Sequence, residues 1–277
     1  MKTILVPILD GSATRSALET AVTLAQRTQA YIEGFVFRFG IPHYAAAELV
    51  IPFAEYGAKA EEEAEELRRL FETVMEEHGI PPAATASSSP CFGWLTAAPN
   101  GEDFLGSYGR AFDVTVLSRP DDEAIGPLNR VIEAALFESG KPVLLAPPQP
   151  PKRIATSIMI HWNGSTEQAR ANAFAIPLLH FASRVTVLNV IGGQDVPGPP
   201  VNEIIRQLRY SGIVAERMDA ELKGRSTGEA VLDAARAQGC DLLVKGAFTR
   251  NRLRQMVFGG ATSHIMKHAN LPVLMAH

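Results

Sequence analysis

The sequence is short of cysteine, with only Cys91 and Cys240 among its 277 residues, and their separation matches no metal-ligand or redox spacing. A disulfide framework is therefore not expected, and a reducing compartment is indicated. Long apolar runs are also missing, since no stretch approaches the roughly 18 apolar residues that a membrane-spanning helix needs. The first apolar run ends at Asp10, which is too early for a cleavable signal peptide. These absences predict a cytoplasmic protein without membrane contact.

Strong net charge is the next missing feature. The chain has 26 Lys and Arg against 30 Asp and Glu, a formal net charge of −4, so a general attraction to nucleic acid is not expected. Catalytic patterns are missing too: there is no Walker A lysine, no Ser/His/Asp order in a supporting context, and no paired carboxylates in a recognisable cleft loop. What remains is an ordinary globular composition, 46% apolar and 20% charged, at a length typical of two domains.

The features that are present form a repeating alternation of short apolar runs and amphipathic segments. The first unit is a buried strand over residues 4–9, the turn Asp10-Gly11-Ser12, and apolar positions at helical spacing to about residue 27. The same order begins again after a proline-rich linker, with a strand over residues 157–162 and the turn Asn163-Gly164-Ser165. The chain therefore reads as a tandem duplication.

The two turns allow the halves to be compared position by position, with Gly164 following Gly11 at an offset of 153 residues. Each half is predicted as five strands alternating with four helices. Such an alternation implies an α/β fold in which a mostly parallel five-stranded sheet is covered by helices on both faces. We expect the two domains to span residues 1–148 and 149–277.

Some segments follow this alternation less regularly. Residues 40–57 contain two prolines and read as a long loop, and residues 59–78 read as a helix with a solvated, glutamate-rich face. A short third strand is predicted within residues 81–90, and a helix is centred near residues 103–111. In the second half, Ser165 with Gln168 is a candidate capping box, and Ser226 is predicted to cap the helix that runs to residue 237.

One stretch of the second half carries chemistry, residues 245–262, with the sequence K-G-A-F-T-R-N-R-L-R-Q-M-V-F-G-G-A-T. It follows an apolar strand and leads into a helix. In an open parallel sheet a ligand lies beyond the carboxyl ends of the strands, and a helix N-terminus there favours an anion. Gly246, Gly259 and Gly260 allow the backbone a close approach. The pattern predicts a phosphate-bearing ligand, most simply a nucleotide, while plain turn and cap duty is the alternative.

The first half lacks the equivalent pattern. Asn129 and Arg130 stand where the second half has its glycine pair, and residues 121–123 are three consecutive acids. Carboxylates beside a phosphate are unfavourable unless a metal intervenes. We therefore expect a degenerate phosphate loop in the first half and a single site in the second.

The chain resembles a tandem universal stress protein over nearly its full length. The resemblance is carried by the two strand–turn–helix units, D-G-S and N-G-S, and by the terminal block G-A-F-T…F-G-G-A-T…P-V-L-M. The nucleotide signature of that family is G-x-x-G, nine residues, then G-S/T. Gly246 and Gly259 fit the signature and its spacing, Thr249 replaces the second glycine, and Gly260 replaces the usual Ser or Thr. Lys245 stands where the family usually has an apolar residue.

The resemblance implies two Rossmann-like domains of the adenine nucleotide α-hydrolase type, whose last strands pair as in a dimer. It also implies an adenine nucleotide, ATP or else ADP or AMP, bound with or without Mg. Asn163 and the backbone of Val190 match positions that meet the adenine, and Thr262 matches one that contacts phosphate. The predicted nucleotide-binding residues are His161, Trp162, Asn163, Val190, Lys245, Gly246, Phe248, Thr249, Gly259, Gly260, Ala261 and Thr262, with Arg250 and Arg252 as phosphate contacts.

Several other residues of the second half, including some of these, also have a purely structural interpretation. Arg250 and Arg252 also fit a solvated basic loop, and Trp162 either stacks on a base or closes the top of the core. His264 and His268 share a helix face, but no third ligand is evident, so a zinc site is not predicted.

These features support a regulatory, adenine-nucleotide-binding protein of the stress response. A nucleotide-free adaptor that acts on an unknown protein partner, as an intramolecular pseudo-dimer or a homodimer, is the second hypothesis. A weak ATPase is the third, and no enzymatic activity beyond slow ATP hydrolysis is expected.

Overall fold

The computed structural model of the chain describes residues 1–39, 53–86, 88–119, 127–193, 196–248 and 260–277. Its strands are β1 (Thr3–Ile8), β2 (Tyr31–Val36), β3 (Cys91–Trp94), β4 (Val114–Ser118), β5 (Val143–Ala146), β6 (Ser157–His161), β7 (Arg184–Ile191), β8 (Glu216–Glu221), β9 (Leu242–Gly246) and β10 (Val273–Ala276). Its helices are α1 (Thr14–Thr28), α2 (Phe53–Glu77), α3 (Glu102–Tyr108), α4 (Pro127–Glu138), α5 (Thr166–Leu179), α6 (Val201–Tyr210), α7 (Thr227–Ala237) and α8 (Ala261–His268), with a 3-10 turn at Gly109–Ala111. The predicted α/β alternation is confirmed.

All ten strands belong to one sheet, in the order β3-β2-β1-β4-β5-β10-β9-β6-β7-β8. Strands within each half are parallel, and the halves meet where β10 runs antiparallel to β5, with Val273 opposite Leu145 and Met275 opposite Val143. The expected pairing of the last strands is therefore confirmed. It covers two sheet edges that would otherwise expose unpaired backbone groups.

Helices cover both faces of the sheet, because side chains alternate along each buried strand. On β6, Ile158 and Ile160 join the core under α1, α2, α5 and α6, whereas Met159 joins the core under α3, α4, α7 and α8. Each core draws residues from both halves, so the layers are continuous across the β5–β10 junction. Among the residues that the structure describes, no helix is long and apolar enough to cross a bilayer.

Two predicted segments need correction. The helix predicted over residues 59–78 begins earlier, at Phe53, so the predicted loop of 40–57 is helical at its end; residues 40–52 lie outside the described part of the chain. The third strand is not within 81–90 but at Cys91–Trp94, where it pairs in parallel with β2. Its Phe92 ring packs edge-on against Phe71 of α2 at 5.4 Å. The position of this strand depends on a contact between residues that are distant in sequence, and the local residue pattern does not reveal such a contact.

The two halves share a polar device at the start of the sheet. In the first half, the Asp113 carboxylate accepts hydrogen bonds from the backbone N–H groups of Lys2 and Thr3. In the second half, the Asp241 carboxylate accepts them from Thr156 and Ser157, at 2.8 and 3.0 Å. Each aspartate precedes the fourth strand of its half and fixes the beginning of the first strand. The two halves therefore share these side-chain hydrogen bonds as well as the order of their strands and helices.

This device corrects the predicted offset between the halves. Thr3 corresponds to Ser157, an offset of 154 in the strands, whereas α1 and α5 begin at Thr14 and Thr166, an offset of 152. Counted from these aligned strand residues, the first half thus has two more residues before its first helix than the second half has. The predicted offset of 153 lies between the two values, and the strand register aligns Asn163 with Leu9 and not with Asp10.

Contacts near the junction also join the halves. Arg119, just after β4, donates a hydrogen bond to the carbonyl of Lys267 at the end of α8. In the opposite direction, the Phe137 ring of α4 lies 5.7 Å from the Phe248 ring and 4.6 Å from the His277 ring. The chain segment after the fourth strand of each half therefore contacts the last helix of the other half.

The predicted cap of α7 is present as a full capping box. Ser226 Oγ accepts the backbone N–H of Glu229 at 3.2 Å, and the Glu229 carboxylate accepts the N–H of Ser226 at 2.7 Å. We expect Ser226→Ala to lower the free energy of unfolding by about 1 kcal/mol, because one helix N–H loses its acceptor. Urea denaturation measures this loss. Ser226→Asp is the control and is expected to retain most of the stability, so equal losses in the two variants would contradict the capping role.

Candidate functional site

The carboxyl end of β9 lies against the first turn of α5. Gly246 donates its backbone N–H to Gln168 Oε1 at 2.7 Å. A Cβ atom on Gly246 would lie 2.4 Å from the backbone nitrogen of Gln168 and 2.7 Å from the carbonyl carbon of Glu167. Glycine is therefore required here by the close approach of two backbones. This contact fixes the strand end from which the predicted phosphate loop departs.

The role of Gln168 differs from the predicted one. Ser165 caps α5 as expected, since its hydroxyl accepts the N–H of Gln168 at 3.1 Å. The Gln168 side chain does not return to the cap, however; it is fully buried and bonds to Gly246 and Asn172. The S-x-x-Q spacing is the same whether the glutamine side chain bonds to the helix cap or to a neighbouring strand, so the sequence does not distinguish these two roles. Gln168 thus supports the strand end at Gly246, a role that its position in the sequence does not reveal.

Lys245 is a buried cation at this strand end, with 3% of its surface exposed. Its Nζ donates to the Gly246 carbonyl at 2.9 Å and to Thr262 Oγ1 at 2.9 Å. Thr262 is the second residue of α8 and is half-buried. The structure therefore brings together the end of β9 and the N-terminus of α8, as the sequence predicted. The ammonium group, the hydroxyl and the helix N-terminus all favour an anion.

His161 is buried at the end of β6, beside Lys245. Ile160 pairs with Val244, so the next residues, His161 and Lys245, are level on neighbouring strands. Neither ring nitrogen of His161 has a hydrogen-bond partner among the described residues. Burial, and secondarily the charge of Lys245, lowers the pKa of His161 to about 3. The imidazole is therefore neutral at physiological pH.

Asn163 borders a cleft of about 170 Å³ at the ends of β6 and β7, which Asn189 and Val196 also line. The Asn163 side-chain oxygen accepts the N–H of Ser165 at 3.2 Å, so its NH₂ group is the part suited to a ligand acceptor. Gly164 has φ +78°, and a Cβ there would lie 2.4 Å from the Val196 carbonyl oxygen. Only glycine fits this turn without strain.

Trp162 is one of the predicted residues that lie in the core. It is 6% exposed, and its indole N–H donates to the Pro199 carbonyl at 2.8 Å. Val190 is fully buried, and its carbonyl accepts the N–H of Gly193 at 3.0 Å. Stacking by Trp162 and a base contact by Val190 stay predictions, and the geometry of Trp162 fits the core-closing alternative.

The remaining predicted residues lie between Phe248 and Ala261. Phe248 has a positive φ of 49° and packs on Phe137 of the first half. Gly260, with φ 87°, is the N-cap of α8, and Ala261 is buried as its first residue. Thr249, Arg250, Arg252 and Gly259 lie outside the described residues. The backbone at Gly260 is therefore in a conformation that residues other than glycine rarely adopt.

The edge of the first half differs chemically. A cleft of about 380 Å³ lies at the ends of β1, β2 and β4, with Asp10, Phe37, Phe39 and Arg119 among its lining residues. At the position of Lys245 it has Leu117, which is 1% exposed. Within the described ranges, no group of three His, Cys, Asp or Glu side chains is placed to hold a metal ion. His161, Lys245 and Thr262, which we call the polar strand-end cluster, therefore have no polar counterparts at the aligned positions that the structure describes in the first half.

These features define a class of protein: an α/β chain with a mostly parallel sheet and an anion-suited edge beyond its strand ends. Residues 156–277 match the Universal stress protein family. The matched part of the chain contains the polar strand-end cluster. No curated protein matches the sequence.

Two solved structures similar to the whole chain carry the same family name. A universal stress protein from Archaeoglobus fulgidus DSM 4304 matches with a TM-score of 0.72 and 14% identity, over 99% of this chain and 97% of that one. A candidate universal stress protein from Pseudomonas aeruginosa UCBPP-PA14 matches with a TM-score of 0.51 and 16% identity, over 100% of this chain and 93% of that one. At such low identity the likeness establishes the Rossmann-like fold over both halves.

Proposed function

We propose that the protein is a tandem universal stress protein that binds one adenine nucleotide in its second domain and acts as a regulator in the stress response. The domains span residues 1–148 and 149–277. The observation that carries the proposal is the contact of Lys245 with Thr262, which joins the end of β9 to the N-terminus of α8. The site lies within the part of the chain that matches the family, and it follows a glycine that the fold requires.

The phosphate groups occupy the N-terminal end of α8 in this proposal. There the backbone N–H groups of Ala261 and Thr262 and the Thr262 hydroxyl are suited to phosphate oxygens. ATP is the proposed ligand, and ADP and AMP bind less tightly because they present fewer phosphate oxygens and less charge. Any Mg²⁺ is held mainly by the phosphates, since it commonly binds through substrate phosphates and few protein ligands.

The adenine lies toward the ends of β6 and β7. The Asn163 amide offers an NH₂ group there, beside the cleft of about 170 Å³. An amide both donates and accepts, which matches the edge of an adenine ring. Asn163 and the backbone near Val190 are the proposed base contacts.

Calorimetric titration of ATP into the full chain tests the site. We expect saturable binding by the parent and a loss of at least about tenfold in Thr262→Glu, because a carboxylate replaces the hydroxyl next to the phosphates. Glutamate in a first turn favours a helix, so α8 itself is not weakened. Gln26→Glu, an equal charge change on the exposed face of α1, is the control and keeps parental affinity. Absence of saturable binding at millimolar ATP ends the proposal.

A nucleotide-free adaptor is the second candidate function. The observation that favours it is the continuous ten-stranded sheet, which holds the two halves as one platform through β5 and β10. In this case the protein acts on a protein partner, as a monomer or as a homodimer. The ATP titration separates the two functions, since an adaptor of this kind binds its partner equally well with and without ATP.

A further inference from the structure

Two buried polar side chains and one half-buried one stand in the second half where the first half has buried apolar side chains. The sheet register aligns His161 with Pro7 and Lys245 with Leu117. Thr262 precedes β10 by the same number of residues as Ile132 precedes β5. Pro7, Leu117 and Ile132 are all buried. The second half thus replaces three apolar core positions with an imidazole, an ammonium group and a hydroxyl, those of the polar strand-end cluster.

Packing gives no reason for the polar strand-end cluster. A buried cation carries a desolvation penalty, and an apolar residue of similar volume is commonly as stable or more stable at such a position. The first half has the same strand register and packs apolar residues there. Positions at which a sequence departs from the rules of core packing are often functional ones. The polar strand-end cluster is therefore explained by what it does at the strand end.

The hydrogen bonds define what Lys245 does. An ammonium group has three donors and no acceptor, whereas a threonine hydroxyl has one donor and two acceptor positions. Since Lys245 Nζ donates to Thr262 Oγ1 at 2.9 Å, it occupies an acceptor position of that oxygen. The hydroxyl hydrogen must then point to a different acceptor. Lys245 itself is 3% exposed, so its charge acts on the site from the protein interior and not from the solvent side.

His161 adds an independent observation. Its ring is 2% exposed, lies level with Lys245 at the strand end, and has no hydrogen-bond partner for either nitrogen among the described residues. Because its imidazole is neutral, it adds no charge that would repel the ammonium group. Beside the N-terminus of α8 the structure therefore places the ammonium group of Lys245 and a neutral imidazole whose nitrogens have no partner among the described residues, an arrangement suited to an anionic ligand.

We propose that Lys245 is a positioning residue: by donating to Thr262 Oγ1 it directs the Thr262 hydroxyl toward a phosphate oxygen at the N-terminus of α8, and so makes the site selective for phosphorylated ligands over the neutral nucleoside. This inference rests on the proposed function. It adds that Lys245 acts through Thr262, and that phosphate recognition in this chain depends on a residue that is apolar in the first half.

A double-mutant cycle tests the inference. The full chain is prepared as the parent, Lys245→Met, Thr262→Val and the double variant, and each is titrated with ATP, adenosine and tripolyphosphate. Methionine keeps the length of the lysine stem, and thermal melting verifies that each variant is folded. We expect Lys245→Met to weaken ATP and tripolyphosphate binding by about tenfold while leaving adenosine unchanged. The double variant should be no weaker than Thr262→Val, because the two residues act in series. Lys59→Met removes an exposed lysine of α2 and serves as the charge control.

Each outcome has a distinct meaning. If the parent binds ATP and Lys245→Met binds it within twofold of the parent, or if the two single losses add in the double variant, the positioning role is overturned and the proposed function stands. If tripolyphosphate binds in a Lys245-dependent way but ATP binds no more tightly than tripolyphosphate, the anion site stands and adenine recognition falls. If neither ligand binds the parent, both proposals are overturned.

Discussion

Replacing Gly246 with alanine is expected to lower the free energy of unfolding by about 3 kcal/mol, the upper part of the range for overpacking a core. The added Cβ would lie 2.4 Å from a backbone nitrogen and 2.7 Å from a carbonyl carbon of α5. Neither atom belongs to a flexible side chain, so β9 or the whole first turn of α5 must move. The hydrogen bond from Gly246 to Gln168 is then lost as well.

The measurement is urea denaturation of Gly246→Ala beside its matched control in the first half. Ser118 occupies the corresponding place at the end of β4 and already carries a Cβ. We expect Ser118→Ala to change stability by less than about 1 kcal/mol, near the average for single substitutions. If Gly246→Ala is as stable as Ser118→Ala, the two backbones are not as close as the structure places them.

The stability of the protein is expected to fall by about 2 kcal/mol between pH 6.5 and 4.5 because of His161 alone. The pKa of this buried histidine is lowered to about 3 in the folded chain, against about 6.5 when unfolded. As the pH falls below 6.5, the unfolded chain binds a proton that the folded chain does not. The contribution of the neutral imidazole is therefore fully present above the unfolded pKa and decreases toward pH 3, at up to about 1.4 kcal/mol per pH unit.

Denaturation curves of the parent and of His161→Leu, recorded from pH 7.5 to 4.5, isolate this term from the titration of carboxylates. We expect the variant to lose distinctly less stability on acidification, so that the difference between the two chains changes with pH. His78→Gln, which alters an exposed histidine at the end of the α2 region, is the control and should run parallel to the parent. Parallel curves for the parent and His161→Leu would show that the imidazole is not buried as a neutral group.

The parts of the fold that the sequence predicted are those in which local pattern and tertiary structure agree. The strand ending at Gly246 and the Ser226 cap follow from apolar runs and capping residues a few positions apart. The strand β3 was misplaced because Phe92 is buried by a ring of α2, a contact between residues about 20 positions apart. The β5–β10 pairing was predicted through the family resemblance, since periodicity does not identify strand partners.

The candidate site was predictable to a different extent. Lys245 and Thr262 were both predicted, but that they bond to each other depends on a distance of 17 residues along the chain. The role of Gln168 was not predicted, because the same residue pattern fits a capping box and a hydrogen bond to Gly246. The register between the halves was misjudged by one residue, because the turn after β1 is longer than the turn after β6. Each turn contains a glycine, Gly11 or Gly164, but the presence of the glycine does not show whether the extra residues precede or follow it.

The antiparallel pairing of β5 with β10 has a consequence for how the two edges differ. In an assembly of identical subunits, a substitution changes both copies of a site at once, so any gain at one is accompanied by the same change at the other. Here the two halves belong to a single chain, and each molecule carries one edge of each kind in fixed proportion. Leu117 and Lys245 are thereby free to differ, so that a sheet with two similar halves has two chemically different edges.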